Sequence, residues 1–326
     1  MSKKVLVCGA TGFIGRNTAE FLSKREDFEV YGTYHNSQRY DNSRINLENI
    51  DLTDKDAVRR IVKGKDVIVQ AAAACSGALE MKTKPYYHVV DNVRMNPLIF
   101  EAAHEFGVPH VIFPSCTTVY LPSDKPLKEE DFNLSDGLLP NYLWCGGTKV
   151  FLEKLCELFS GLGNTRYTVF RHSNVYGPYD KFDLERSHVF GATMTKVMTA
   201  KDGGEVVVWG DGEGERDLLY SSDIAGFIER AIDRQTTPFE IVNVGCESAI
   251  SIKNLVQKII DISGKNLSIK YDLYRLGTDK KTKENNERMV LDSTKAREKF
   301  GWQQQTALDD GIRYTMEWYK KNILAT

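Results

Sequence analysis

The run Gly9-Ala10-Thr11-Gly12-Phe13-Ile14-Gly15 carries the clearest chemical signal in the sequence. It follows an apolar stretch at 4–8 and leads into a helix-forming stretch at 16–25, so it reads as strand, glycine turn and helix. Such a turn lets backbone N–H groups close on a pyrophosphate at a helix N-terminus, where the helix dipole also favours the anion. The glycines are spaced three and three, not the two and three of the commonest dinucleotide fingerprint. The strand–turn–helix context nevertheless favours a dinucleotide over a merely steric turn.

The elements that must hold this turn alternate through the first half of the chain. Strands are expected at 29–34, 45–51, 66–73, 111–115 and 166–171, and helices at 55–62, 92–106 and 148–159. The continuous apolar run at 66–73 suits a parallel strand covered on both faces. The alternation predicts an open parallel sheet with helices on both sides. After residue 173 the pattern loosens. The stretch 174–187 is polar, aromatic and loop-like, strands are expected at 205–209 and 240–244, and amphipathic helices at 252–262 and 306–320. The basic run at 279–283 reads as a solvated loop. The chain therefore divides into 1–172, with 217–246 packing back on it, and a smaller lobe of 173–216 and 247–326.

Bulk properties narrow the function classes. A net charge of −2 gives no argument for nucleic acid or an anionic membrane. No apolar run reaches the length of a membrane span. Six scattered cysteines (Cys8, Cys75, Cys116, Cys145, Cys156 and Cys246) form no CxxC pair and no zinc spacing, so no metal is expected. The N-terminus enters a strand at once, so a cytoplasmic enzyme with reduced thiols is the expectation.

With Gly9/Gly12/Gly15, Asp51-Leu52-Thr53-Asp54, Ala71-Ala72-Ala73, Asn92, Ser115 through Tyr120, Lys149, Asn174-Val175-Tyr176-Gly177-Pro178 and Arg216-Asp217, the chain resembles the extended short-chain dehydrogenase/reductases, the NAD-dependent epimerase/dehydratase family. The resemblance covers almost the whole chain. Residues 101–104, Asn174 through Val189, and Val206 through Gly210 with Arg216 are closest to the branch that epimerises and reduces GDP-linked 4-keto-6-deoxy sugars. It implies a Rossmann-like doubly wound α/β domain for NAD(P), a smaller α/β C-terminal lobe for a nucleotide-diphosphate sugar, and a homodimer built on a four-helix bundle.

Residue by residue, the resemblance places a pyrophosphate on Gly9, Thr11, Gly12, Phe13, Ile14 and Gly15, the adenine between Asp51 and Leu52, and Ala71 and Ala72 along the cofactor. An acidic residue at the end of the second strand would hold the 2′-hydroxyl of NAD. Here Thr33-Tyr34-His35-Asn36-Ser37 and Arg39 stand instead, with Arg16 after the third glycine, which leans to NADP, with NAD the alternative.

The family's centre is a Ser or Thr with a Tyr four residues before a Lys. Lys149 is in place, but Cys145 stands at the tyrosine position and Cys116 at the serine position, with Ser115 beside it. Free cysteine titrates near 8.5 and tyrosine near 10, so protonation state is no obstacle; Lys149 would lower the thiol further. Reach is the obstacle, because a cysteine sulfur stops roughly 3–4 Å short of a tyrosine oxygen. Cys145 could act through a bridging water or on a deeper-seated substrate, or Tyr142 could replace it. Isolated cysteines are otherwise inert core residues, and no Cys116–Cys145 disulfide is predicted. In the GDP-sugar branch a cysteine and a histidine exchange protons at C3 and C5. The histidine falls on His188 and the cysteine on Thr118, a poor base, so the base is either absent or Cys116. Asn174, Trp209 and Arg216 should contact the substrate, with Arg288 a second anion clamp.

Three activities remain open at this point: an NADP- or NAD-dependent epimerase/reductase of a GDP-linked keto-sugar, a C4-dehydrogenase or an epimerase with a retained cofactor, and a non-catalytic dinucleotide-binding sensor or subunit.

Overall fold

The structure is a computed structural model that describes residues 2–74, 84, 86–184, 187–273 and 288–325. Cys75 and the basic run at 279–283 lie outside these residues. Seven parallel strands form one sheet: β1 (Lys3–Cys8), β2 (Phe28–Tyr34), β3 (Ile45–Asn49), β4 (Val67–Gln70), β5 (His110–Cys116), β6 (Arg166–His172) and, later in the chain, β11 (Phe239–Val244). Their spatial order is β11-β6-β5-β4-β1-β2-β3. Each neighbouring pair runs parallel, as in Val5 opposite Val30 and Val67.

Side chains alternate across a strand, and both faces here are apolar. Val5, Val7, Val67, Val69 and Phe170 point to one buried layer, and Leu6, Cys8, Ile68, Val111 and Val169 to the other. That is the doubly wound α/β arrangement expected from the runs of β-branched residues. The helices α1 (Phe13–Leu22), α2 (Lys55–Val62), α3 (Tyr87–Glu105) and α4 (Leu143–Ser160) alternate with these strands. Two helices start earlier than the sequence suggests. α3 begins at Tyr87 rather than near residue 92, and α4 at Leu143 rather than 148, so Cys145 and Lys149 lie one turn apart on the same helix.

Three two-stranded pairs complete the strands: β7 (Asn174–Tyr176) with β10 (Leu218–Tyr220), β8 (Glu205–Trp209) with β13 (Ser268–Asp272), and β9 (Glu215–Arg216) with β12 (Ile250–Ser251). Thus 174–176 is a short strand inside a stretch that reads as loop. Helices α5 (Val189–Thr199), α6 (Ser221–Arg234), α7 (Ile252–Ser263), α8 (Thr294–Phe300) and α9 (Leu308–Tyr319) follow. Phe190, Met194, Val206, Leu255, Ile259, Ile312 and Tyr319 form a separate apolar core among α5, α7, α9 and β8.

Candidate active site

β1 and β4 are adjacent, and their chains depart in opposite directions across the sheet. Their C-terminal ends open the crevice where doubly wound sheets take ligands. Gly9 leaves β1 in the left-handed region, with φ of 72°. A Cβ there would lie 2.7 Å from the Ala72 Cα, and a Cβ on Gly15 would lie 2.1 Å from the Gly9 carbonyl oxygen. α1 starts from Gly12 with no side-chain cap and no acidic residue in its first turn. Its N-terminal N–H groups therefore keep their positive end for an anion. Thr11, Phe13 and Ile14 are half-buried around the turn, as are Ala71 and Ala72 opposite it. This cradle fits a dinucleotide pyrophosphate.

At the far end of the cradle, Asp51 accepts from the Thr53 N–H (2.9 Å) and hydroxyl (2.7 Å). Those bonds, with a smaller contribution from nearby His35, hold its carboxyl below the usual range. Leu52 is buried, and His35 and Arg39 are exposed after β2. Arg16 does not lie loose on the surface. Its guanidinium is stacked between Tyr40 (4.1 Å) and Tyr179 (3.9 Å) and ion-paired to Glu20 (3.0 Å).

The sequence-predicted chemical groups meet at the end of β5. Cys116 is the last residue of that strand, and the half-buried Cys145 and Lys149 come from the first two turns of α4. α4 can approach because residue 146 is glycine: a Cβ there would sit 2.5 Å from the Thr118 carbonyl oxygen. The Lys149 ammonium donates to the Pro114 carbonyl (2.7 Å) and lies 4.6 Å over the Phe113 ring. Against the opposing effect of burial, the neighbouring Cys145 thiol, the Lys149 charge and the Thr118 hydroxyl (2.8 Å) bring the Cys116 thiol down to about 6. A thiolate at neutral pH is the active form of such a group. The two sulfurs are not joined as a disulfide. Tyr142 stands at the N-cap of α4, one turn before Cys145 and Gly146, beside the exposed Trp144.

Ser115, next to Cys116, points the other way. Its hydroxyl donates to Glu153 (2.5 Å), which forms a buried ion pair with Arg171 (2.7 Å). Arg171 also donates to the Tyr120 hydroxyl (2.8 Å), which donates to Asn243 (2.8 Å). This network ties α4, β5, β6 and β11 together beneath the site. Sequence reading missed it, although an arginine inside the apolar run of β6 was a signal that a carboxylate must be buried nearby.

His188 is the N-cap of α5, with part of its surface open to solvent. Desolvation by the surrounding protein pushes its imidazole below the ordinary value. Asp180 and Cys116 act on it in the opposite direction, and Lys181 in the same direction. Cys116 is thus near enough to His188 for its charge to act on the imidazole. His172 is held neutral, at about 4, chiefly by burial, with its Nδ1–H on the Ser173 carbonyl (2.7 Å). Asp180 is buried, and burial raises its carboxyl to about 6.

Of the remaining predicted residues, Asn174, Trp209 and Arg216 lie on the short paired strands, and Arg288 lies outside any strand. The Asn174 N–H bonds to the Asp217 carbonyl (2.9 Å), which sets half-buried Asn174 beside Arg216. Asp217 itself is structural, accepting from the backbone N–H groups of Cys246 (2.9 Å) and Leu291 (3.2 Å). The Arg216 guanidinium donates to the Glu215 carbonyl (2.7 Å). Arg288 pairs with the Glu215 carboxylate (3.3 Å) and donates to the Asp124 carbonyl (2.6 Å). Trp209, at the end of β8, lies under the Lys196 ammonium (5.2 Å). No cluster of metal ligands occurs among the described residues.

A doubly wound parallel sheet with a glycine cradle at its switch point and a lysine-lined cleft beside it defines a dinucleotide-dependent α/β enzyme. A match to the family model "NAD dependent epimerase/dehydratase family" over residues 5–245 assigns the chain to that family, the extended short-chain dehydrogenase/reductases. GDP-L-fucose synthase of Sinorhizobium fredii is 28% identical across 98% of this chain and 96% of its own length. GDP-L-colitose synthase of Yersinia pseudotuberculosis is 27% identical across 97% of each. UDP-glucose 4-epimerase of Thermotoga maritima, solved with UDP-glucose, superposes with a TM-score of 0.82 at 25% identity over 98% of this chain and 99% of that one. Among the described residues no helix is long and apolar enough to cross a membrane.

Proposed function

We propose that this enzyme epimerises and reduces a GDP-linked 4-keto-6-deoxy sugar, exchanging protons at the carbons flanking its ketone, with NADP as its cofactor and NAD the alternative. The observation that carries the reading is the cluster at the end of β5, where Cys116 sits 2.8 Å from the Thr118 hydroxyl beside Cys145 and Lys149, is acidified by them, and is near enough to His188 for their charges to interact. A thiolate and an imidazole on opposite sides of a keto-sugar form a two-base pair: one removes a proton α to the carbonyl, and the other returns one on the opposite face. Cys116 takes the role that Thr118 cannot. The Thr118 hydroxyl, 2.8 Å from the sulfur, would serve it by donating to the thiolate.

The nicotinamide, when bound, supplies or accepts a hydride at C4. Gly9, Thr11, Gly12, Phe13, Ile14, Gly15, Ala71, Ala72, Asp51 and Leu52 would hold the dinucleotide, His35 and Arg39 its ribose end, and Lys149 the nicotinamide ribose. Arg216 would meet the diphosphate, Arg288 would support it through Glu215, and Asn174 and Trp209 would border the sugar. The proposed division of labour assigns 1–172 with 217–246 to the cofactor and 173–216 with 247–326 to the nucleotide sugar.

A homodimer is part of the reading. Trp144, Phe151 and Leu158 recur every seven residues along the outside of α4, and Val90 and Val93 are exposed on α3, which packs against it. Two such helix pairs, one from each copy, make a four-helix bundle.

A second reading, an epimerase that retains its cofactor, is favoured by the absence of a phenol at position 145. Mass spectrometry of GDP-4-keto-6-deoxymannose incubated with the enzyme and NADPH in D₂O separates the two. Deuterium at C3 or C5 with a reduced product supports the first reading; deuterium without net reduction supports the second; neither deuterium nor reduction overturns both.

A further inference from the structure

Asp180 is a buried carboxylate that the family resemblance assigns no role. Its Oδ1 accepts from the Lys181 N–H (2.7 Å), while its Oδ2 is enclosed and has no hydrogen-bond partner among the described residues. An enclosed, unsatisfied carboxylate oxygen is costly and calls for an explanation. The oxygen lies against the first turn of α5: a Cβ on Gly191 would come within 3.4 Å of it and within 2.5 Å of the Lys181 carbonyl oxygen. Glycine at 191 therefore keeps the space between this carboxylate and the helix end that His188 caps. The segment between them is fastened at its start. Asn17 donates to the Pro178 carbonyl (2.9 Å), and Tyr179, at φ of 68°, stacks on the Arg16 guanidinium and meets Trp318 edge to face. An adopted left-handed conformation at a tyrosine costs free energy, and here it aims the next residue, Asp180, inward.

We infer that Asp180 is the positioning residue for His188: its unpaired oxygen accepts an imidazole N–H when the cleft engages substrate, which fixes the ring's tautomer and leaves the other nitrogen toward the sugar. Hydrogen bonds of this kind are often unmade in ligand-free structures and tighten on binding. A carboxylate behind an imidazole both orients it and stabilises its protonated form. The inference rests on the acid/base role proposed for His188. The other charged or titratable groups facing that ring are Cys116 from β5, Lys181 from its own loop and His172 from β6. Asp180 and Cys116 favour the imidazolium, and Lys181 opposes it.

The test is an NMR titration of the His188 ring in the wild-type enzyme and in Asp180→Asn, with His188→Gln assigning the resonance. Removing the carboxylate charge should lower the His188 midpoint by about one pH unit; an unmoved midpoint overturns the pairing. With substrate, Asp180→Asn should lower kcat for solvent exchange about 10- to 100-fold with KM little changed, and Asp180→Glu should recover part of the loss. In the His188→Gln background the same substitution should cost nothing further; an equal second loss would mark Asp180 as a packing residue and overturn the inference. A wild-type enzyme that exchanges no deuterium defeats the epimerase reading, while the titration still reads the pairing on its own.

Discussion

The two ends of the cleft are built from different materials. The proposed cofactor end is made of backbone: a glycine turn in which Gly9 and Gly15 leave no room for a Cβ, a bare helix terminus and two alanines. The chemical end is made of side chains, Cys116, Thr118, Cys145, Lys149 and His188, brought from β5, the turn after it, α4 and the N-cap of α5. A backbone site leaves the chain little freedom to change what it binds. A side-chain site can change its chemistry through two substitutions that leave the fold alone. In the proposed site a pair of thiols stands beside a lysine, where the family resemblance implies a pair of hydroxyls.

The sharpest way to break the comparison is Cys116→Ala. Loss of a positioned base should lower solvent exchange about 10²- to 10⁴-fold while dinucleotide affinity, measured by calorimetry, stays put. A fall in both would show that the two ends are not separable. In the wild-type enzyme the same thiol sets an acid limb. The thiolate is the active form and the folded group titrates at about 6, so exchange should hold steady above that pH and fall tenfold per unit below it. A limb near 8.5, the value of free cysteine, would mean that Cys116 is not activated by its neighbours.

Gly15→Ala probes the other end. Its Cβ must displace the Gly9 carbonyl, and overpacking of this kind costs about 1–3 kcal/mol. Dinucleotide affinity and melting temperature should drop together, and an unaffected affinity would detach the pyrophosphate from this turn. The smallest effect is expected from Cys145→Tyr, which restores a phenol one turn before Lys149. NADPH oxidation should rise about tenfold, at the low end of what a positioned proton donor gives, because Thr118 and Cys116 already occupy part of the space. No gain would place the limit on reduction somewhere other than residue 145.

Much of the molecule is legible in the amino-acid sequence. The parallel sheet announces itself through runs such as Val5-Leu6-Val7 and Val67-Ile68-Val69, because a strand covered on both faces has no polar side to confuse its period. The start of α4 is not legible. Gly146 and Gly147 argue against a helix locally, and only the close approach of α4 to the Thr118 carbonyl explains why glycine is required at 146. The thiols are readable as substitutions at known positions, but their contact and its effect on acidity depend on how α4 meets β5. Asp180 is unreadable as a functional group, since a carboxylate in a polar loop is usually solvated. Its burial comes from α5 closing over it. Glu153 and Arg171, eighteen residues apart, give only the hint of a charge in an apolar strand.

The arginine at the start of α1 has a further consequence. By lying between Tyr40 and Tyr179, Arg16 joins the loop after β2 to the segment that leads to Asp180 and His188. Those stretches give up their conformational freedom together, once, when the chain folds. Neither has to be ordered afresh at each encounter, so the binding energy of a small ligand is not drained by stiffening the walls that receive it.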